Sequence, residues 1–219
     1  MYTQMLSIAV ANAKGGCGKT TLSTALACRF AQDFKRVVIV DVDPQLGALR
    51  WYGHRKNGGN ASDNPLVVPG DAAPDEMLEV LEEAGIDVAI FDGAPGSIDL
   101  AEEIIDAAAF AVIPLRAGDQ DAASTEFAVR ICKDHDTPYL LVINETLGAT
   151  DKRANDLKGA LKNGGQPIAD TSIRRRVIHA DAVNAGLAAG EFPGKGAETA
   201  AAEIEALYRE LRQAIGGAS

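Results

Sequence analysis

The chain has 219 residues, 47% of them apolar, and a formal net charge of −10. This length and apolar content predict a substantial buried core, and an acidic chain of this size repels polyanions in general. No apolar run approaches the roughly 20 residues of a membrane-spanning helix, which argues against a membrane protein. Three widely spaced cysteines argue against a disulfide framework or a metal centre and favour a reducing, cytoplasmic location. They are Cys17, Cys28 and Cys132.

Continuous apolar runs and helical spacing alternate along the whole chain. We expect about seven strands, at 6–11, 36–42, 65–69, 87–92, 109–115, 139–144 and 167–170. We expect helices over 20–32, 46–56, 74–84, 100–107, 122–133, 151–162, 179–189 and 199–215. With no linker and no repeat, this alternation predicts a single α/β domain over 1–219. Its architecture should be a doubly wound, mostly parallel sheet with helices on both faces, with the ligand at the carboxyl ends of the strands.

A glycine-rich segment, AKGGCGKTT at 13–21, lies between the first strand and the first helix. Strand, loop and helix in this order are the context that a phosphate-binding P-loop requires. Backbone N–H groups of such a loop turn toward phosphate oxygens, and the positive end of the helix favours the anion. Lys19 is expected to reach the β- and γ-phosphates, and the Thr20 hydroxyl to ligate Mg²⁺. The predicted nucleotide-binding residues are Gly15, Gly16, Cys17, Gly18, Lys19, Thr20 and Thr21.

Acidic residues end two further strands. Asp92 closes DVAIFD, where a carboxylate that holds Mg²⁺ through water is expected, and Asp41 and Asp43 close RVVIVDVD. Acidic residues also form plain turns at strand ends, but three of them beside a P-loop indicate a nucleotide site. At the end of LLVINET, Asn144 lacks the Lys and Asp of a guanine signature. It is therefore either an adenine contact or a turn asparagine.

These segments resemble the ParA/MinD family of deviant-Walker P-loop ATPases over nearly the whole chain. The resemblance rests on KGGCGKTT (14–21), VVIVDVDPQ (37–45), VAIFDGAPG (88–96), VIPLRAGDQDAAST (112–125) and LVINET (141–146). Residues 172–192 and 200–211 are similar to the C-terminal part of short plasmid-partition and cargo-positioning members. The resemblance implies one ParA-like ATPase domain that uses ATP and Mg²⁺.

The resemblance also implies roles for individual residues. Lys14 reaches across a homodimer interface to the partner's nucleotide, where it offsets repulsion between two ATP molecules and stabilises charge during phosphoryl transfer. Lys14, Lys19 and Asp43 are thus the expected catalytic residues, with Asp43 orienting the attacking water. Asp41 lies in the Mg²⁺ shell, and Gly93–Gly96 form a switch that senses the γ-phosphate. A partner protein is expected to stimulate slow hydrolysis.

Features that the chain carries and lacks indicate its branch of the family. It has no Cys-x-x-Cys pair, no tyrosine cluster and no basic amphipathic tail for a membrane. The remaining branch binds double-stranded DNA non-specifically and is nucleoid-associated. Residues 1–150 carry a net charge of −11 and residues 151–219 a net charge of +1. The candidate phosphate contacts are therefore Arg174, Arg175 and Arg176, although a solvated turn explains them equally well.

Two features depart from the family pattern, and two alternative functions stay open. Cys17 replaces a common valine, either as a small apolar substitute or as a reactive thiol at a helix start. Glu145 stands where a basic residue is common. One alternative function is a P-loop ligase or kinase that acts on a small molecule. The other is an ATP-dependent dimer switch without DNA binding.

Overall fold

The structure is a computed structural model that describes residues 5–58, 63–118 and 122–218. Six strands and eight helices are described. The strands are β1 (Leu6–Val10), β2 (Val37–Asp41), β3 (Leu66–Pro69), β4 (Val88–Asp92), β5 (Phe110–Leu115) and β6 (Tyr139–Ile143). The helices are α1 (Lys19–Asp33), α2 (Gly47–Asn57), α3 (Pro74–Glu83), α4 (Ile98–Ala107), α5 (Ala122–Asp134), α6 (Lys152–Asn163), α7 (Val177–Asn184) and α8 (Ala197–Ala218).

The strands form one parallel sheet in the order β3-β2-β4-β1-β5-β6. The chain first winds outward to one side of β1 and then returns to the other side. Such a reversal of winding direction opens a crevice at the carboxyl ends of the strands, where open α/β sheets bind ligands. The predicted doubly wound α/β fold is confirmed.

Two apolar layers cover the two faces of the sheet. Alternate strand residues point to opposite faces, so Ile8 and Val10 pack with α1, α2 and α8, whereas Ala9 packs with α3, α4, α5 and α6. Every residue of β1, β2, β4 and β5 is buried, as expected for central parallel strands covered on both sides. The core therefore holds the strand ends, and the loops that follow them, in fixed positions.

Two sequence predictions need correction. Residues 167–170 form no strand; they contact the edge of β6 through an isolated bridge between Ile168 and Leu141. The chain then turns away, because Glu210 on α8 accepts the backbone N–H groups of Asp170 and Thr171. The helix predicted at 179–189 is α7 and ends earlier, at Asn184, because Gly186 takes a positive φ of 71° that terminates it.

Candidate functional site

The loop between β1 and α1 has the backbone that a phosphate cradle needs. Gly16 and Gly18 adopt positive φ angles of 72° and 87°, a region that glycine enters without steric cost. Ala13, which stands where the general pattern has glycine, is absent from the positive-φ residues. A side chain is therefore tolerated at this first position of the loop.

The two lysines of the loop are linked through the backbone. Lys19 is buried, and its Nζ donates to the carbonyl oxygen of Lys14 at 2.9 Å. Cys17 is 1% exposed, its Sγ donates to the same carbonyl at 3.3 Å, and it lies 4.0 Å from the Lys19 ammonium. Cys17 thus packs inside the loop as a small, enclosed side chain, which fits the first of its two interpretations.

Two buried asparagines hold the phosphate loop in place through hydrogen bonds to its backbone. Asn12 accepts the backbone N–H of Lys14 at 2.9 Å and donates to the carbonyl of Pro114 at 2.9 Å. Asn144 donates through Nδ2 to the carbonyl of Cys17 at 2.8 Å. A Cβ on Gly18 would lie 2.1 Å from that Nδ2, so only glycine fits there. The adenine contact predicted for Asn144 stays a prediction, and in the structure this amide supports the phosphate loop.

Sheet register brings two of the predicted acidic residues together. Asp41 and Asp92 are register partners at the carboxyl ends of β2 and β4, and both are buried. Ser23, one turn into α1, donates its hydroxyl to Asp92 Oδ1 at 2.9 Å. Asp92 Oδ2 is buried and has no hydrogen-bond partner among the described residues. One oxygen of this carboxylate is therefore held in place, and the other is left for a ligand.

Burial controls the protonation of these carboxylates. It raises the pKa of Asp92 to about 7; the hydroxyls of Thr20 and Ser23 oppose the rise and the charge of Asp41 adds to it. Burial also raises the pKa of Asp41, against hydrogen bonds from the backbone of Leu49 and Asp43. Both carboxylates gain from a nearby cation, because a positive charge offsets the cost of burying a negative one.

The oxygen atoms at this position fit the Mg²⁺ that the sequence predicts. Thr20, Asp41 and Asp92 supply a hydroxyl and two carboxylates, which are the hard ligands that Mg²⁺ prefers. No group of three or more His, Cys, Asp or Glu side chains arranged to hold a metal occurs in the described part of the chain. Mg²⁺ usually keeps several waters and binds phosphate oxygens, so this small set is sufficient.

Asp43 lines a second cavity beside the loop. Its Oδ1 accepts the N–H of Gln45 at 2.9 Å, which fixes the turn that leads into α2. The cavity has a volume of about 430 Å³ and includes Thr20, Asp43, Arg50 and Asn184 in its lining. Thr20 and Asp43 therefore face a common space, as the predicted metal and water-orienting roles require.

The segment predicted as a γ-phosphate switch is tied to the phosphate loop. Gly93 donates its N–H to Val10 at 3.1 Å, and Gly96 donates to the carbonyl of Ala13 at 2.8 Å. Pro95 packs against Gly15, whose added Cβ would lie 3.6 Å from the Pro95 side chain. The loop after β4 thus contacts the loop after β1 at its first residues.

The predicted DNA contacts lie next to this site. A cavity of about 370 Å³ opens beside Gly18 and Thr21, and its lining includes Asn144 and all of Arg174–Arg176. Arg174 and Arg175 are exposed, whereas Arg176 forms an ion pair with Glu203 of α8 at 2.6 Å. Two of the three arginines thus remain exposed for phosphate contacts, and the third is engaged in binding α8 to this segment.

Sequence reasoning missed Ser23, Asn12 and the ion pair between Arg116 and Glu145, which are 3.2 Å apart. A signal for Ser23 exists, since it lies three residues after Thr20 and thus one helical turn further along α1. Arg116 and Glu145 follow two adjacent strands, but no pattern within either segment indicates their pairing. Across the described residues, no helix is both long and apolar enough to cross a membrane.

The comparisons with known proteins agree with this geometry. Residues 8–189 match the family described as the CobQ/CobB/MinD/ParA nucleotide binding domain. The maintenance of carboxysome distribution protein A of Halothiobacillus neapolitanus is 30% identical over 211 residues, which cover 94% of this chain and 95% of that protein.

Two solved structures share the fold. The ATP complex of a McdA variant from Cyanothece has a TM-score of 0.74 at 20% identity, covering 96% of this chain and 98% of that one. The septum site-determining protein MinD of Pyrococcus horikoshii, in complex with Mg-ADP, has a TM-score of 0.72 at 16% identity, covering 98% of this chain and 99% of that one. By its family match, its near full-length relative and the phosphate loop described above, this chain belongs to the CobQ/CobB/MinD/ParA family of nucleotide-binding proteins.

Proposed function

We propose that this chain is an ATPase that dimerises with ATP, binds double-stranded DNA non-specifically as the ATP-bound dimer, and positions or segregates a cargo. The observation that carries the proposal is the loop with both Lys14 and Lys19, next to the register pair Asp41 and Asp92. The relative that distributes carboxysomes, matched over almost its whole length, supports a protein compartment as cargo. The expected location is the cytoplasm, in association with the nucleoid.

The residues of the candidate site have different roles in the proposed reaction. Lys19 exchanges its contact with the Lys14 carbonyl for the β- and γ-phosphates, and the loop amides hold the phosphate oxygens. Thr20, Asp41 and Asp92 would hold Mg²⁺, which would supply positive charge to offset the negative charge of the phosphates. Asp43 orients the attacking water from the shared cavity. Lys14 acts across the dimer on the partner's nucleotide, so hydrolysis ends the association.

Lys14→Ala tests the dimer. The variant is expected to bind ATP as the wild type does, because Lys19 and the loop amides remain, and to stay monomeric with ATP. Light scattering with and without ATP measures this, with Lys35→Ala, an exposed lysine remote from the loop, as the control. A dimer of the Lys14→Ala protein in ATP refutes the role across the interface.

Asp43→Ala tests the link to DNA. Hydrolysis is expected to stall, so the variant should stay on DNA with ATP, and its retention should fall steeply with salt as phosphate contacts are screened. Charge reversal at Arg174 and Arg175 should abolish the retention. Lack of retention in Asp43→Ala counts against DNA binding and favours the dimer switch, whereas turnover that depends on a small molecule favours a ligase or kinase.

A further inference from the structure

Two residues that line the cavity beside the phosphate loop form an ion pair. Arg116 directly follows β5 and Glu145 lies two residues after β6, and Arg116 Nη1 donates to Glu145 Oε2 at 3.2 Å. Both residues line the cavity of about 370 Å³ that also includes Gly18 and Thr21, at the start of α1. A nucleotide with its phosphates in the loop has this space next to it for the rest of the molecule.

Glu145 is held in an uncommon backbone conformation. Its φ is 56°, in the left-handed region that residues other than glycine seldom adopt. Its N–H donates to Asn144 Oδ1 at 2.9 Å, and Asn144 in turn donates to the carbonyl of Cys17. Strained positions persist where the surroundings fix them, and they concentrate at functional sites. A continuous chain of hydrogen bonds thus joins Glu145 to the phosphate loop.

We propose that Glu145, oriented by Arg116, selects the base of the bound nucleotide by accepting a hydrogen bond from the 6-amino group of adenine. The inference rests on the proposed ATP binding and names the residue that reads the base. The ion pair engages Oε2, and no described residue donates a hydrogen bond to Oε1, so Oε1 remains as an acceptor. Adenine presents a donor, N6–H, at the position where guanine presents an acceptor, O6. An acceptor carboxylate that faces this position therefore favours adenine, and Arg116 holds the carboxylate in place.

Competition between nucleotides tests the proposal. The probes are ATP, purine riboside triphosphate, which lacks the 6-amino group, and GTP, each displacing a fluorescent ATP analogue in the presence of Mg²⁺. The wild type is expected to bind ATP about tenfold more tightly than purine riboside triphosphate, since a hydrogen bond to a charged group contributes roughly that factor. In Glu145→Met the ratio should fall to about one, through weaker ATP binding alone.

The opposite results overturn the inference. An equal ratio in the wild type and in Glu145→Met removes Glu145 as the base-reading residue, and tighter binding of GTP than ATP by the wild type removes the adenine assignment. Failure of the wild type to bind any of the three triphosphates instead contradicts the proposed function. The two failures are therefore distinguishable in one experiment.

Further variants separate base reading from folding. Glu83→Met, at an exposed glutamate of α3 remote from the cavity, is the matched control and should keep the wild-type ratio. Arg116→Met should lower the ratio partly, because it releases the carboxylate without removing it. If Glu145→Met does not fold, Glu145→Gln replaces it: the amide keeps the size and one acceptor oxygen but loses the ion pair, so an intermediate ratio is expected. An unchanged ratio in Glu145→Gln then counts against the proposal.

Discussion

The phosphate loop and the arginine segment at 174–176 border the same cavity but are built in opposite ways. In the loop, Lys19 and Cys17 are buried and bonded to backbone atoms a few residues away. In the arginine segment, Arg174 and Arg175 are exposed, and Arg176 is bonded to a residue of α8. A buried polar group that loses its partner costs far more than an exposed one. The loop should therefore tolerate little change, and the arginine segment much more.

Lys19→Ala should have the largest effect. Removing a buried ammonium that is proposed to contact two phosphates is expected to weaken ATP binding by about 3 kcal/mol or more, over a hundredfold. Titration calorimetry measures the affinity. Arg175→Ala, at an exposed residue that lines the neighbouring cavity, should change ATP affinity by less than about tenfold. Unchanged ATP affinity in Lys19→Ala contradicts the assignment of the P-loop.

Gly18→Ala should be the next largest. The new Cβ would lie 2.1 Å from Asn144 Nδ2, and the alanine would have to adopt the positive φ of Gly18. The substitution should therefore displace Asn144 and strain the loop. We expect a loss of about 2–4 kcal/mol in the free energy of unfolding, from a lost buried hydrogen bond and backbone strain. Gly16→Ala, with a positive φ but open space around it, should lose only about 1 kcal/mol. Urea denaturation compares the two, and equal losses would show that the contact with Asn144 is unimportant.

Asp92→Asn should change how stability depends on pH. The pKa of Asp92 is raised to about 7, so between roughly pH 4 and pH 7 the folded, metal-free protein holds a proton that the unfolded chain has released. The contribution of this group to stability therefore decreases as pH rises through that window. Asp92→Asn removes the decrease, and should gain on the order of 2 kcal/mol relative to the wild type between pH 5 and pH 8. Urea denaturation in the presence of EDTA measures the free energy of unfolding at each pH. A difference between the variant and the wild type that is the same at pH 5 and pH 8 contradicts the prediction.

Arg176→Ala should have the smallest effect. The ion pair with Glu203 is partly exposed, so its loss should cost at most about 1 kcal/mol in the free energy of unfolding. Thermal denaturation at low and high salt checks this, since salt should shrink the difference. A loss as large as that of Gly18→Ala would remove the distinction between the two regions.

The sequence predicts the fold well because the fold rests on local patterns. Apolar runs locate β1, β2 and β4, and glycines and prolines mark where helices end. The prediction of a strand at 167–170 is wrong because the backbone of Asp170 bonds to Glu210, which is 40 residues away in the sequence. The bounds of α7 are also wrong, since the helix begins and ends earlier than predicted.

In the candidate site, too, the sequence predicts what lies within one segment and misses what depends on contacts between segments. The loop residues are recognisable because they are consecutive, and Asp41 and Asp92 because each ends an apolar run. Their pairing depends on β2 and β4 being neighbours in the sheet, and neither segment alone predicts that they are. The pair of Arg116 and Glu145 depends on the adjacency of β5 and β6 in the same way.

The hydrogen bond from Gly96 to Ala13 has a practical consequence. An amide in a surface loop ordinarily exchanges its hydrogen with solvent rapidly, whereas one held across two loops exchanges only when they separate. Deuterium uptake at the Gly96 amide therefore reports how often the loop after β4 separates from the phosphate loop, and the measurement needs no label on the nucleotide.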